Sequence, residues 1–124
     1  MARTALSAIA GAVAWFVVVT ALNFALRYGW PAYHAVEPAM TFDVPMMAAR
    51  LAESTIALVV AAIVTARLSR GAAAAPWILA VILLALFIPV HYYLWRQFPV
   101  WYHLTFLTSL VVVPVIVGRA ARPG

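Results

Sequence analysis

Ile88-Pro-Val-His-Tyr-Tyr-Leu-Trp-Arg-Gln-Phe-Pro-Val-Trp-Tyr-His103 closes one long apolar run and opens another, with only Arg96, Gln97, Phe98 and Pro99 between them. A charge and a proline flanked by tyrosine and tryptophan mark a chain that leaves a bilayer and turns back. Amphipathic rings suit the headgroup layer, where one neighbour is apolar and the other wet. A connection of about 2–5 residues joins antiparallel neighbouring helices. The stretch therefore predicts a membrane hairpin, and the fold class follows by working outward from it.

Composition agrees with that reading. Of the 124 residues, 68% are hydrophobic and 9% charged, against roughly half apolar and a quarter charged in soluble domains. All eight basic residues are arginine, spread along the chain at segment ends. Topology explains such a distribution and nucleic-acid binding does not. The absence of cysteine excludes disulfides, thiolate nucleophiles and thiolate-bound metal.

Four apolar segments are predicted, at about residues 5–26, 46–66, 76–97 and 100–118, with an outer loop over 27–45. Each approaches the roughly 20 residues that cross a bilayer. The first exceeds the roughly 7–15 apolar residues of a signal peptide and reads as a retained helix. Its Ser7/Gly11 and Ala8/Ala12 pairs have the spacing that admits a close helix neighbour. The expected fold is all-α, an antiparallel bundle of four transmembrane helices forming one membrane domain over residues 1–124.

Arg3, Arg67, Arg70, Arg119 and Arg122 fall at one end of such a bundle, and Arg27 and Arg96 at the other. That imbalance predicts both termini in the cytoplasm. Glu37, Asp43, Glu53 and all three histidines then lie toward the opposite side. At about 1.5 Å per residue, Asn23, Arg50, His91 and His103 lie about 6–7 Å below that surface, and Glu53 about 12 Å. Polar groups at that depth lack partners in lipid, so these five are expected to face one another across the bundle.

Three readings of the cluster stay open. In a structural network, Arg50 pairs with Glu53 three residues along the same helix face, and the histidines bond Asn23, a backbone carbonyl or water. In a transport or proton-relay site, Glu53 and His91 titrate. In a metal or haem site, His91 and His103 supply ligands with Glu53. The outer loop adds possible ligands in His34, Glu37 and Asp43, with His34 and Glu37 three apart on any short helix there. No hydrolase, zincin, phosphate-loop or dinucleotide signature occurs, which leaves catalysis open and points away from it.

Leu94-Trp-Arg-Gln-Phe-Pro-Val-Trp-Tyr-His-Leu-Thr-Phe-Leu-Thr-Ser-Leu110 resembles the closing hairpin of small bacterial four-helix inner-membrane proteins to which no activity is assigned. The resemblance implies the topology and a bacterial source. The functional expectation is an accessory or assembly subunit of a membrane complex. The alternatives are a proton-coupled or small-solute transporter or channel acting as an oligomer, and a metal- or haem-binding membrane protein. The expected partners are the lipid bilayer and either a second copy or a larger complex.

Overall fold

The computed structural model describes residues 2–121; Arg122, counted above among the arginines of the terminal side, lies outside them. The chain is an all-α antiparallel bundle built on α1 (Ala2–Gly29), α3 (Val44–Leu68), α4 (Ala75–Tyr93) and α5 (Val100–Ala120). Each of these four helices is long and apolar enough to cross a membrane. Between α1 and α3 lie a short helix, α2 (Pro31–Val36), and a 3-10 turn at Glu37–Ala39. The outer loop expected over residues 27–45 is thus largely helical.

Local chemistry sets the boundaries. Pro31 and Pro45 stand in the first turn of α2 and α3, where a missing N–H costs nothing. Asp43 caps α3, its carboxylate accepting from the Met46 amide at 2.9 Å; substituting such a cap by alanine costs about 1 kcal/mol. Met40 closes the 3-10 turn in the left-handed region, at φ 56°. At the other end of α3, Gly71 takes φ 76° and its amide returns to the Ala66 carbonyl at 2.8 Å. Glycine adopts that backbone freely. α4 ends at Tyr93, and residues 94–99 turn the chain into α5.

Around the bundle the order is α1, α3, α5, α4, with α3 and α4 touching lightly across the diagonal. The core runs through Ala8, Ala12 and Trp15 of α1, Ala57, Leu58 and Ala61 of α3, Leu79 and Leu83 of α4, and Phe106 and Leu110 of α5. Leu6, Val17, Val81, Leu104 and Ile116 point outward and are exposed, the surface that a hydrocarbon environment covers. Antiparallel crossings place the start of α1, the end of α5 and the 69–74 turn at one end, the terminal end. The 30–43 connector and the 94–99 turn share the other, the connector end.

The two small-residue pairs of α1 lie in the interface with α3. Ser7, Ala8, Gly11 and Ala12 are all buried. A Cβ on Gly11 would stand 2.8 Å from the Ala61 carbonyl oxygen and would collide with Thr65 Oγ1. Thr65 donates to the Ser7 carbonyl at 3.2 Å, and Arg3 Nε to the Leu68 carbonyl at 2.9 Å. The terminal end is thus closed by backbone-close packing and two bonds to backbone.

Candidate functional site

At the connector end a chain of side-chain hydrogen bonds crosses the bundle. Arg27 Nε and Nη2 bond the two Glu37 carboxylate oxygens at 2.6 and 3.2 Å. Asn23 Nδ2 donates to Glu37 Oε2 at 2.7 Å. The Tyr33 hydroxyl donates to Asn23 Oδ1 at 2.7 Å and accepts from Arg50 Nη1 at 2.8 Å. Arg50 Nε reaches the Tyr102 hydroxyl at 3.3 Å. One series of contacts therefore ties α1, the connector, α3 and α5 together. Arg50 also lies over the Phe42 ring at 4.6 Å, a cation–π contact.

The connector groups are tuned accordingly. The Arg27 guanidinium, with help from Asn23, holds the Glu37 carboxyl below the usual carboxylate range. Burial pushes the Tyr33 hydroxyl above the ordinary tyrosine value, so it stays a neutral relay between amide and guanidinium.

Below this network lies a cavity of about 230 Å³. Its walls include Trp15 and Phe16 of α1, Arg50, Glu53 and Ser54 of α3, Phe87 and His91 of α4, and Tyr102 and Phe106 of α5. Three of the residues on these walls carry a buried polar atom with no hydrogen-bond partner in the protein: Trp15 Nε1, Glu53 Oε2 and Ser54 Oγ. Buried polar atoms are nearly always paired, and an unpaired one costs about 1–3 kcal/mol. Finding three such residues around one small cavity distinguishes it from ordinary core. Arg50 and Glu53 also line a second cleft, toward the connector, with Asn23, Arg27 and Glu37.

His91 and His103 meet at the α4–α5 contact, Nδ1 to Nδ1, at 2.7 Å. The other His103 nitrogen lies 3.1 Å from the Trp95 carbonyl oxygen. His103 is fully buried, stacked on the Trp95 ring at 4.7 Å. His91 packs against the Phe106 ring at 4.5 Å.

The structure redistributes the residues expected to form one cluster. Asn23 belongs to the connector network. The expected Arg50–Glu53 pair does not form: Arg50 bonds Tyr33 and Tyr102, and Arg27–Glu37 is the ion pair found among the described residues. Three residues of separation permit the pair, but the tyrosine hydroxyls reach the guanidinium from other elements. The histidines bond each other and a carbonyl, not Asn23. Glu53 and His91 do share the cavity.

The outer-loop ligand set does not assemble. Asp43 is used as a cap, Glu37 is held by Arg27, and His34 is exposed with its ring 6.0 Å from that of Tyr28. Among the described residues no three His, Asp or Glu side chains gather as a metal site. The His91–His103 bond occupies the two nitrogens that would ligate from facing rings, and ring centroids 4.9 Å apart admit no macrocycle between them. The residues at hand do not fit haem.

Four participants escape a reading of the sequence: Tyr33 and Tyr102, absorbed into the aromatic belt, and Trp15 and Ser54, absorbed into apolar helix faces. Ser54 beside Glu53, and an indole N–H within the apolar run from Ala8 to Val19, were the available signals. Comparison with protein-family models, with curated proteins and with solved structures finds no match for the chain.

Proposed function

We propose that this is a bacterial inner-membrane protein with both termini in the cytoplasm, serving as an accessory subunit of a membrane complex. Its Glu53 cavity binds a small solute or a proton. The observation that carries the reading is that Trp15, Glu53 and Ser54 all line one cavity and that each has a buried polar atom, Nε1, Oε2 and Oγ, without a protein partner. A purely structural network gives each buried polar atom a partner. The orientation rests on the arginines of the terminal end, and the bacterial source on the resemblance of residues 94–110.

An accessory role fits better than a self-sufficient pathway. The cavity lies in the connector half, and the terminal half is closed where Gly11 meets Ala61 and Thr65. The second reading is a transporter acting as a homo-oligomer. It draws on Arg50 and Glu53 lining both the cavity and the connector-side cleft.

Dicyclohexylcarbodiimide, an apolar reagent for protonated carboxyl groups, tests the site. In lipid-reconstituted protein it should label Glu53 and spare Glu37, whose carboxylate Arg27 keeps ionised. Glu53→Gln should fold and lose the adduct, since it forfeits no ion pair. A Glu53 that stays unlabelled at mildly acidic pH would remove the cavity reading. The mass of the particle extracted in mild detergent separates a hetero-complex from a homo-oligomer. A reporter fused at Gly71 that reads the periplasm would reverse the orientation.

A further inference from the structure

The two histidine contacts fix which nitrogen carries each proton. A carbonyl oxygen only accepts, so the His103 nitrogen facing Trp95, Nε2, must be the donor. A neutral imidazole has one N–H, which leaves His103 Nδ1 bare. The 2.7 Å contact between the two Nδ1 atoms then requires His91 Nδ1 to donate. His91 is therefore left with a bare Nε2, on a ring that lines the Glu53 cavity.

We propose that the pair is a proton-driven acceptor-to-donor switch for the cavity, with His91 Nε2 as its receiving atom and His103 as the place where the charge rests. A proton that enters forms an N–H bond at His91 Nε2. The N–H at His91 Nδ1 breaks and a new one forms at His103 Nδ1. His103 becomes an imidazolium with both nitrogens protonated. His91 ends neutral, with Nε2–H where the lone pair had been. One proton is gained, and the hydrogen-bonding sense of His91 at the cavity wall reverses.

The surroundings of the two rings decide where the charge settles. Around His91, α3 brings Arg50 and Glu53 to the cavity, α5 brings Tyr102 to the cavity and His103 to the ring itself, and the α1 residues at the cavity, Trp15, Phe16 and Val19, do not titrate. The Arg50 guanidinium disfavours a second cation on the cavity side. His103 instead bonds the Trp95 carbonyl just past the C-terminal end of α4, the negative end of that helix. It also stacks on the Trp95 indole, 16° from parallel, whose electron-rich face favours a cation.

This deepens the binding role given above to the Glu53 cavity and rests on it for its consequence. In the unprotonated state the His91 ring offers the cavity an acceptor, Nε2. In the protonated state it offers a donor, Nε2–H, beside the Glu53 side chain. A solute bearing a carbonyl or carboxylate oxygen is then bound together with a proton.

Imidazole 15N NMR on the wild-type protein in lipid tests the switch with no ligand present. Three histidines make assignment simple, and His34→Gln removes the exposed one. At neutral pH the expected forms are Nδ1–H for His91, the tautomer that free imidazole side chains disfavour, and Nε2–H for His103. On acidification the first doubly protonated ring of the pair should be His103, while His91 changes to Nε2–H. An Nε2–H His91 at neutral pH, or first charge on His91, overturns the proposal. Carbodiimide labelling of Glu53 in the same sample reports separately on the cavity, so the switch and the binding role fail independently.

Discussion

At the terminal end α1 and α3 approach until Gly11 has no room for a methyl group beside the Ala61 carbonyl. At the connector end the same two helices are joined through Tyr33, whose hydroxyl lies between Asn23 and Arg50. Lipid gives no hydrophobic drive for helices to associate, so they do so by close packing of small residues or by polar bonds between them. This bundle relies mainly on close packing at the terminal end, with two bonds to backbone beside it, and on polar bonds at the connector end. Small-residue packing fills space at the terminal end. Long side chains that must reach one another hold the connector end more openly, and the cavity with its unpaired polar atoms lies there.

Substitutions at the two ends should separate the devices. Gly11→Ile forces α1 and α3 apart at backbone contact and should cost about 3 kcal/mol, the upper part of the overpacking range. Arg50→Leu removes the bonds to the Tyr33 and Tyr102 hydroxyls and should cost about 2 kcal/mol, since bonds to a charged group contribute about 1.5–3 kcal/mol and the tyrosines keep some access to water. Thermal or denaturant unfolding in lipid measures both. A larger loss from Arg50→Leu than from Gly11→Ile would invert the comparison and make the connector network the main clamp.

The smallest effect sharpens the connector end alone. Arg27 holds the Glu37 carboxyl below its unfolded value, so its contribution is present above the ordinary carboxylate range of about pH 4 and is lost as pH falls through the lowered value. Hydrogen-exchange protection over residues 31–39, taken relative to the intrinsic amide rate at each pH, should therefore be high at neutral pH and fall below about pH 4. In Glu37→Gln the connector should exchange faster at neutral pH and show no acid step. An unchanged acid step in that variant would place the titrating group elsewhere.

Much of the candidate site was legible at the level of depth, and little of it at the level of partners. Counting along each helix put Arg50, Glu53, His91 and His103 in one layer of the bundle, and the cavity collects three of them while the fourth bonds His91. Counting also offered Arg50 a partner at Glu53, and there it failed. An i, i+3 spacing states which side chains can meet on one helix, whereas Arg50 is reached by tyrosines from the connector and from α5. Asn23 shows the same limit. Its depth matched the histidines, yet α2 carries Tyr33 and the turn after it carries Glu37 into its reach first.

The sequence by itself determined the four crossings, their antiparallel order and the reversal between the last two near Arg96–Pro99. These follow from local properties: the length of an apolar run, the missing N–H of proline, the shortness of a connection. Tertiary structure alone determined that Glu53 keeps an oxygen without a partner, that Arg50 serves two tyrosines, and that His91 and His103 share a hydrogen bond whose other end is a backbone carbonyl. The physical reason is the short range of a hydrogen bond, about 3 Å between heavy atoms. Which groups come that close depends on how four helices are rotated about their axes, and rotation is fixed by packing across the whole bundle.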